Sequence, residues 1–224
     1  MKKYELTGET KSIGKHTLYR IRACININGV VNIGELGGWV ESEQNLSHDD
    51  NAWVCGDARV YGNAWVCGNA RVCGDAQVYG DAWVYDNARV YGYARVCGDA
   101  RVYGNARVCG DAQVYGDAWN ESPLYVQGSK WSVYMTDLTH IQIGCQNHSI
   151  SDWINHGVAI ACRNNSSDIV PEYVWYVATA AMQYGAEHDK ENAWALLDNL
   201  CGQKFKANKK APDAAATAIE RKNK

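Results

Sequence analysis

The chain holds a single phenylalanine against 14 tyrosines and 9 tryptophans. Its aromatic content is therefore almost wholly of the kind that carries a polar tip, which suits surfaces better than a dry core. No run of about 18 apolar residues occurs, which argues against a membrane-spanning helix. No apolar segment follows Met1-Lys2-Lys3, so a soluble, cytosolic protein is expected. The net charge is only −3, too small for the molecule as a whole to seek nucleic acid or a lipid surface. Histidine is missing between His48 and His140. Cysteine numbers nine, an odd count, which in an oxidising compartment invites mispairing and so favours a reducing one.

What is abundant is a repeat. From Ala52 to Gly128 a unit of the form A-x-V-x-G-(D/N) recurs every six residues, with Ala at 52, 58, 64 and onward to 118. Val stands two places after each Ala until Asn120, and Gly two places further on, missing only at Asp86. After a lapse at 120–123, Leu124, Val126 and Gly128 return to the phase. An apolar pair separated by one residue is a short strand with both side chains on its inner face. Gly followed by Asp or Asn is a corner, since Gly accepts positive φ and Asx residues tolerate tight turns. Three such sides close a triangular coil of 18 residues, and successive coils stack at roughly 4.8 Å. The fold class read from this is mainly β: a parallel β-helix of hexapeptide repeats with a small α-containing module at its C-terminal end.

The coil period sorts the outward positions into rows. One row carries Trp65, Trp83, Arg101 and Trp119; a second, Trp53, Arg71, Arg89 and Arg107; a third alternates Arg59, Gln77, Arg95 and Gln113. Exposed Trp and Tyr in contiguous rows predict contact with something, either copies of the chain in a homotrimer or a partner macromolecule. The row Arg71, Arg89 and Arg107 stacks like charges, and a nucleotide would relieve them by phosphate pairing and base stacking. The competing expectation is that corner carboxylates neutralise the row, since the repeat holds six Arg and seven Asp.

Residues 1–51 read as a β-rich cap, with strand alternation at Tyr4–Thr7 and Thr17–Cys24 and a glycine turn in GELGGWV. Such a cap covers the open edges at the end of a stack. Residues 52–128 are the β-helix, 129–202 a hairpin followed by helices, and 203–224 a basic flexible tail with seven Lys or Arg against Asp213 and Glu220. Trp131–Met135 and His140–Gly144 pair as a hairpin around 136–139. Ser149 and Asp152 mark a helix start near Ile150. Helices over Glu172–Tyr184 and Lys190–Cys201 follow, each ending at a Gly. Cys145, His148, His156 and Cys162 are ligand types that zinc accepts, but their spacing matches no standard finger, and they remain weak candidates.

The opening MKKYELTGETK, the segment LGGWVESEQNLSHDDNAWV, the repeated GDARVYGNAWV and the segment HIQIGCQNHSISDW resemble hexapeptide-repeat proteins of phages and prophages of enteric bacteria. The resemblance covers residues 1–153 and implies a left-handed β-helix. Hexapeptide acyltransferases share such coils but use a catalytic His at a coil edge, and no His falls in this repeat. The sequence thus predicts a non-enzymatic accessory protein without cofactor, whose outer faces bind a host or phage macromolecule and block a host defence. A nucleotide or other anion binder and a degenerate acyltransferase are the alternatives.

Overall fold

The computed structural model describes residues 2–201 apart from 28 and 165. The tail expected at 203–224 lies outside the described residues. The chain divides into two compact units, one ending at His148 and the other beginning at Ser149. The hairpin falls in the first unit and is hydrogen-bonded to the coils, as in the Tyr115 N–H to the Thr136 carbonyl at 2.8 Å.

The first unit opens with an antiparallel meander, β1 (Tyr4–Ile13), β2 (His16–Ala23) and β3 (Leu36–Val40). β3 turns the meander into a solenoid, because its far edge pairs in parallel with the coil strand Arg59–Val60. Gly37 and Gly38 make that junction possible. A Cβ on Gly38 would stand 2.6 Å from the Ala58 carbonyl oxygen, so only glycine lets the cap lie this close to the first coil. The cap is pinned by Lys3, whose buried ammonium donates to the Asp50 and Ala52 carbonyls at 3.0 and 2.8 Å and to Asp50 Oδ1 at 3.3 Å. Burial pushes the Lys3 pKa down, against the pull of Asp50. Tyr4 packs edge-on to Trp53, which is why Trp53, outward in its row, is buried under the cap.

Twelve short strands then form three parallel faces of four, one strand per face per coil, making four turns. Each strand pairs with the one a full coil later, as in Trp53↔Arg71↔Arg89↔Arg107 and Arg59↔Gln77↔Arg95↔Gln113. The Ala and Val rows point inward, and Val90 and Val96 are wholly out of solvent. Fully burying such a side chain contributes about 1.5–3 kcal/mol, so the repeat supplies its own core in every coil. Where Gly is missing, Asp86 takes up the same left-handed turn at φ 57°, and its carboxylate accepts the Gly104 N–H at 3.2 Å. Cys55 and Cys73, stacked one coil apart with Cα atoms 4.7 Å apart, form a disulfide, a pairing that the expectation of reduced thiols did not foresee.

The last coil departs from the repeat. Asp117 adopts φ 58°, and Arg101 N–H bonds the Asp117 carbonyl at 2.8 Å, one residue earlier than the pattern of Arg89 to Ala106. Arg101 therefore pairs with Ala118, and Val102 with Trp119. A slip of one residue exchanges the two sides of a strand, so Trp119 turns inward and is 2 % exposed. Tyr125–Gln127 does not resume the coil either. It runs antiparallel to Ser132–Met135, which pairs in turn with His140–Ile143, and these strands, with Gln146–Ser149, make one antiparallel sheet. Ser132 Oγ donates to Asp111 at 2.9 Å and the Leu138 N–H to Asp117 at 2.9 Å. The open end of the solenoid is thereby covered.

The described residues of the second unit hold three α-helices, α1 (Ile150–Arg163), α2 (Val170–Tyr184) and α3 (Glu187–Cys201). Ser149 caps α1 by accepting the Asp152 N–H at 3.0 Å, as its spacing predicted. α2 packs on both neighbours, burying Val174, Val177, Ala178 and Ala181, with Ala193 and Leu197 buried on α3. Among the described residues no helix is long and apolar enough to cross a membrane.

Candidate ligand-binding faces of the solenoid

The three faces carry the same inner residues and differ in what they turn outward. Arg71, Arg89 and Arg107 lie in direct register on adjacent strands. Their backbones are thus roughly 4.8 Å apart from coil to coil. Among the described residues no carboxylate lies within 4.0 Å of any of their guanidiniums, so the corner Asp residues do not neutralise the row as expected.

The reason is visible in the corner that leads into this face. Its second residues are Asn51, Asn69, Asn87 and Asn105, one uncharged amide per coil. Asn51 Nδ2 donates to Asn69 Oδ1 at 3.0 Å, and Asn69 Nδ2 to Asn87 Oδ1 at 3.2 Å. The other two corners read Asp57, Asp75, Tyr93, Asp111 and Asn63, Asp81, Asp99, Asp117. At this second corner position only the corner beside the Arg row carries no carboxylate; at the first position the same corner holds Asp50 and Asp86, whose carboxylates accept the Gly68 and Gly104 N–H groups of the next coil. Sorting the corner residues on the coil period shows this in the sequence, and this ladder is what the reading of the outward rows missed.

Two depressions meet on the Arg face. One, of about 450 Å³, is lined by Asn51, Asn69 and Asn87, by Arg71 and Arg89, and by Asn26, Ile27 and Val30 of the cap. The other, of about 280 Å³, is lined by Arg71, Arg89 and Arg107 with Cys73, Val90 and Tyr91. Arg71 and Arg89 are common to both. A hydrogen bond with the Cys109 side chain, then burial, push the Tyr91 phenol up in pKa, while Arg107 and Arg89 pull it down.

The aromatic face is built differently. Trp65 and Trp83 pair in register and pack edge to face, with ring centroids 5.3 Å apart. They remain 37 % and 42 % exposed. Arg101 continues the row with its guanidinium 5.6 Å from the Trp83 ring, a cation–π contact. Trp119, expected to close this row, is turned into the core by the register slip and is not part of the face.

The metal candidates do not assemble. Cys145 precedes the strand that carries His148, while His156 and Cys162 are on α1. Six helical positions turn the latter pair about 120° apart around the helix axis. Among the described residues no three His, Cys, Asp or Glu side chains are grouped to hold a metal ion.

Seven overlapping stretches, 52–68, 64–80, 70–86, 76–92, 82–98, 94–110 and 100–116, match the family model of the YdcK beta solenoid repeat. No curated protein matches the chain. The region that displays the Arg and Trp rows is a β-solenoid, similar over residues 52–116 to the YdcK beta solenoid repeat.

Proposed function

We propose that this protein is a non-enzymatic binding scaffold whose Arg71, Arg89 and Arg107 face takes up an anionic ligand. One observation carries the reading: these arginines stand in register on consecutive coils with no carboxylate within 4.0 Å of their guanidiniums among the described residues. Like charges at this spacing repel, and an anion bound among them converts the repulsion into charge-assisted hydrogen bonds. Calorimetric titration with inorganic pyrophosphate at low ionic strength tests it. Binding is expected that weakens with salt and falls at least ten-fold in the double variant Arg89→Gln and Arg107→Gln. The control variant Arg59→Gln and Arg95→Gln, on the alternating face, leaves it unchanged. Equal losses from both variants would refute a dedicated face.

The exposed Trp65 and Trp83 pair supports a second surface, for a macromolecule or for copies of the chain. Left-handed winding, a phage-type origin, a homotrimer and a cytoplasmic setting, with a host defence component as partner, complete this reading. They rest on the resemblance of residues 1–153 and on the aromatic row. The non-catalytic assignment rests on the absence of His from the repeat. Native mass spectrometry of the wild type and of a Trp65→Ser, Trp83→Ser double variant tests the aromatic surface: an unchanged assembly and partner set removes it.

A further inference from the structure

We infer that the ligand of the Arg face is a nucleoside di- or triphosphate, its phosphates on Arg71, Arg89 and Arg107 and its base stacked on Tyr91. The inference rests on the anion-binding reading above and deepens it.

Tyr91 differs from the stacked tyrosines of the other rows, and unlike the exposed Tyr93 and Tyr115 it lines the depression beside Arg71, Arg89 and Arg107. Tyr61 and Tyr79 stack on one another with centroids 5.1 Å apart and planes 5° from parallel, and Tyr85 and Tyr103 do the same at 5.1 Å and 4°. In each pair the repeat places a second ring one coil away, so each tyrosine already has its stacking partner. The neighbours of Tyr91 in its row are Cys73 and Cys109. Among the described residues no ring lies against Tyr91, and it is 39 % exposed. It stands in the wall of the depression that also holds all three arginines. An aromatic ring without an aromatic partner, beside unneutralised cations, offers both halves of a nucleotide site: a π face for the base and guanidiniums for phosphate.

Size and boundaries favour a small molecule over a polymer. The depressions, of about 450 and 280 Å³, fall in or near the usual range for small-ligand sites. The cation row is closed at both ends. Above Arg71 the same row holds Trp53, buried under the cap. Below Arg107 the chain has left the coil, and Ser122 Oγ accepts the Arg107 N–H at 3.0 Å in place of the next strand. Among the described residues the row presents three cations, a count that suits the charge of a di- or triphosphate. The amides of Asn69 and Asn87 beside them can bond the hydroxyls of a ribose.

The test compares ADP with inorganic pyrophosphate on the full chain, by calorimetry, in the wild type, Tyr91→Ala and Tyr91→Phe. Circular dichroism confirms that each variant is folded. Stacking of one base predicts that ADP binds the wild type about ten-fold or more tighter than pyrophosphate. Tyr91→Ala brings ADP to the pyrophosphate level and leaves pyrophosphate unchanged, while Tyr91→Phe retains the difference. If ADP and pyrophosphate bind the wild type equally, with Arg89 still required, the nucleotide assignment fails and the anion reading stands. If neither binds, both fail together.

Discussion

Two faces of one solenoid, built from the same hexapeptide, handle positive charge in opposite ways. On the face of Arg59, Gln77, Arg95 and Gln113 a neutral amide separates successive cations, so they stand two coils apart. On the face of Arg71, Arg89 and Arg107 the cations occupy consecutive coils, and the second residue of the adjoining corner is asparagine in every coil. Doubling the separation halves the Coulomb repulsion, and the first face takes that relief. The second forgoes it, and among the described residues no carboxylate pairs with its guanidiniums. Folding does not require this, since the inner Ala and Val rows are the same on both. The difference lies entirely in what is turned toward solvent, which is where selection for binding acts.

The largest expected effect tests the claim that the faces share one core. Val90→Asp, under the Arg face, and Val96→Asp, under the alternating face, should each lose about 4 kcal/mol or more in urea denaturation, because each buries an unpaired carboxylate. Markedly unequal losses would mean that the faces differ inside as well as out. Next in size is Arg89→Gln, which gives the Arg face the alternating pattern. Pyrophosphate binding should weaken about ten-fold or more. The same variant should gain roughly 0.5 kcal/mol of stability at low salt, a gain that fades as salt screens the remaining charges. Improved stability together with lost binding would mark the ladder as a functional cost, and a loss of both would mark it as structural.

The smallest effect concerns the edge where the alternating face begins. Glu41 accepts the Gly62 N–H at 2.7 Å and pairs with His16 at 2.9 Å. Burial raises its pKa, but these partners outweigh it and hold the carboxyl below the ordinary value of 4.5. Its contribution is therefore present above that value and lost as pH falls through the folded-state pKa. A Glu41→Gln variant should show a shallower loss of thermal stability between neutral pH and the acid range than the wild type. Identical acid profiles would assign the acid sensitivity to other groups, such as Asp137, also held low by Thr139 and His140 against the effect of burial.

The coils were legible because the repeat is strict. Once the period is known, every partner of Arg89 follows by counting one coil in either direction, and the observed register agrees. The start of α1 was legible for a similar reason, since a Ser and an Asp three residues apart form a local cap. What could not be read are the places where tertiary contacts overrule the count. Trp53 keeps its phase and is nonetheless buried, because Tyr4 and Lys3 arrive from the distant cap. Trp119 loses its phase because Asp117, a residue with no strong preference for positive φ, turns left-handed as the chain leaves the last coil. The resumption at Leu124, Val126 and Gly128 was a coincidence of spacing, and hydrogen bonding to Ser132–Met135 shows it to be an antiparallel strand. The Asn ladder was legible and went unread, because the corners were treated as turn chemistry alone.

That ladder gives a repeating surface a sense of direction. Each asparagine passes its amide hydrogen to the oxygen of the next coil, from Asn51 to Asn69 and from Asn69 to Asn87. Among the described residues the bonded amides begin at Asn51, whose oxygen accepts no hydrogen bond, and end at the amide of Asn87, beside Arg89. Translation by one coil looks like a symmetry of this face, but the aligned amide dipoles break the equivalence of its two ends. A molecule lying along it would meet an acceptor at one end and donors at the other, so its two orientations would not be equivalent.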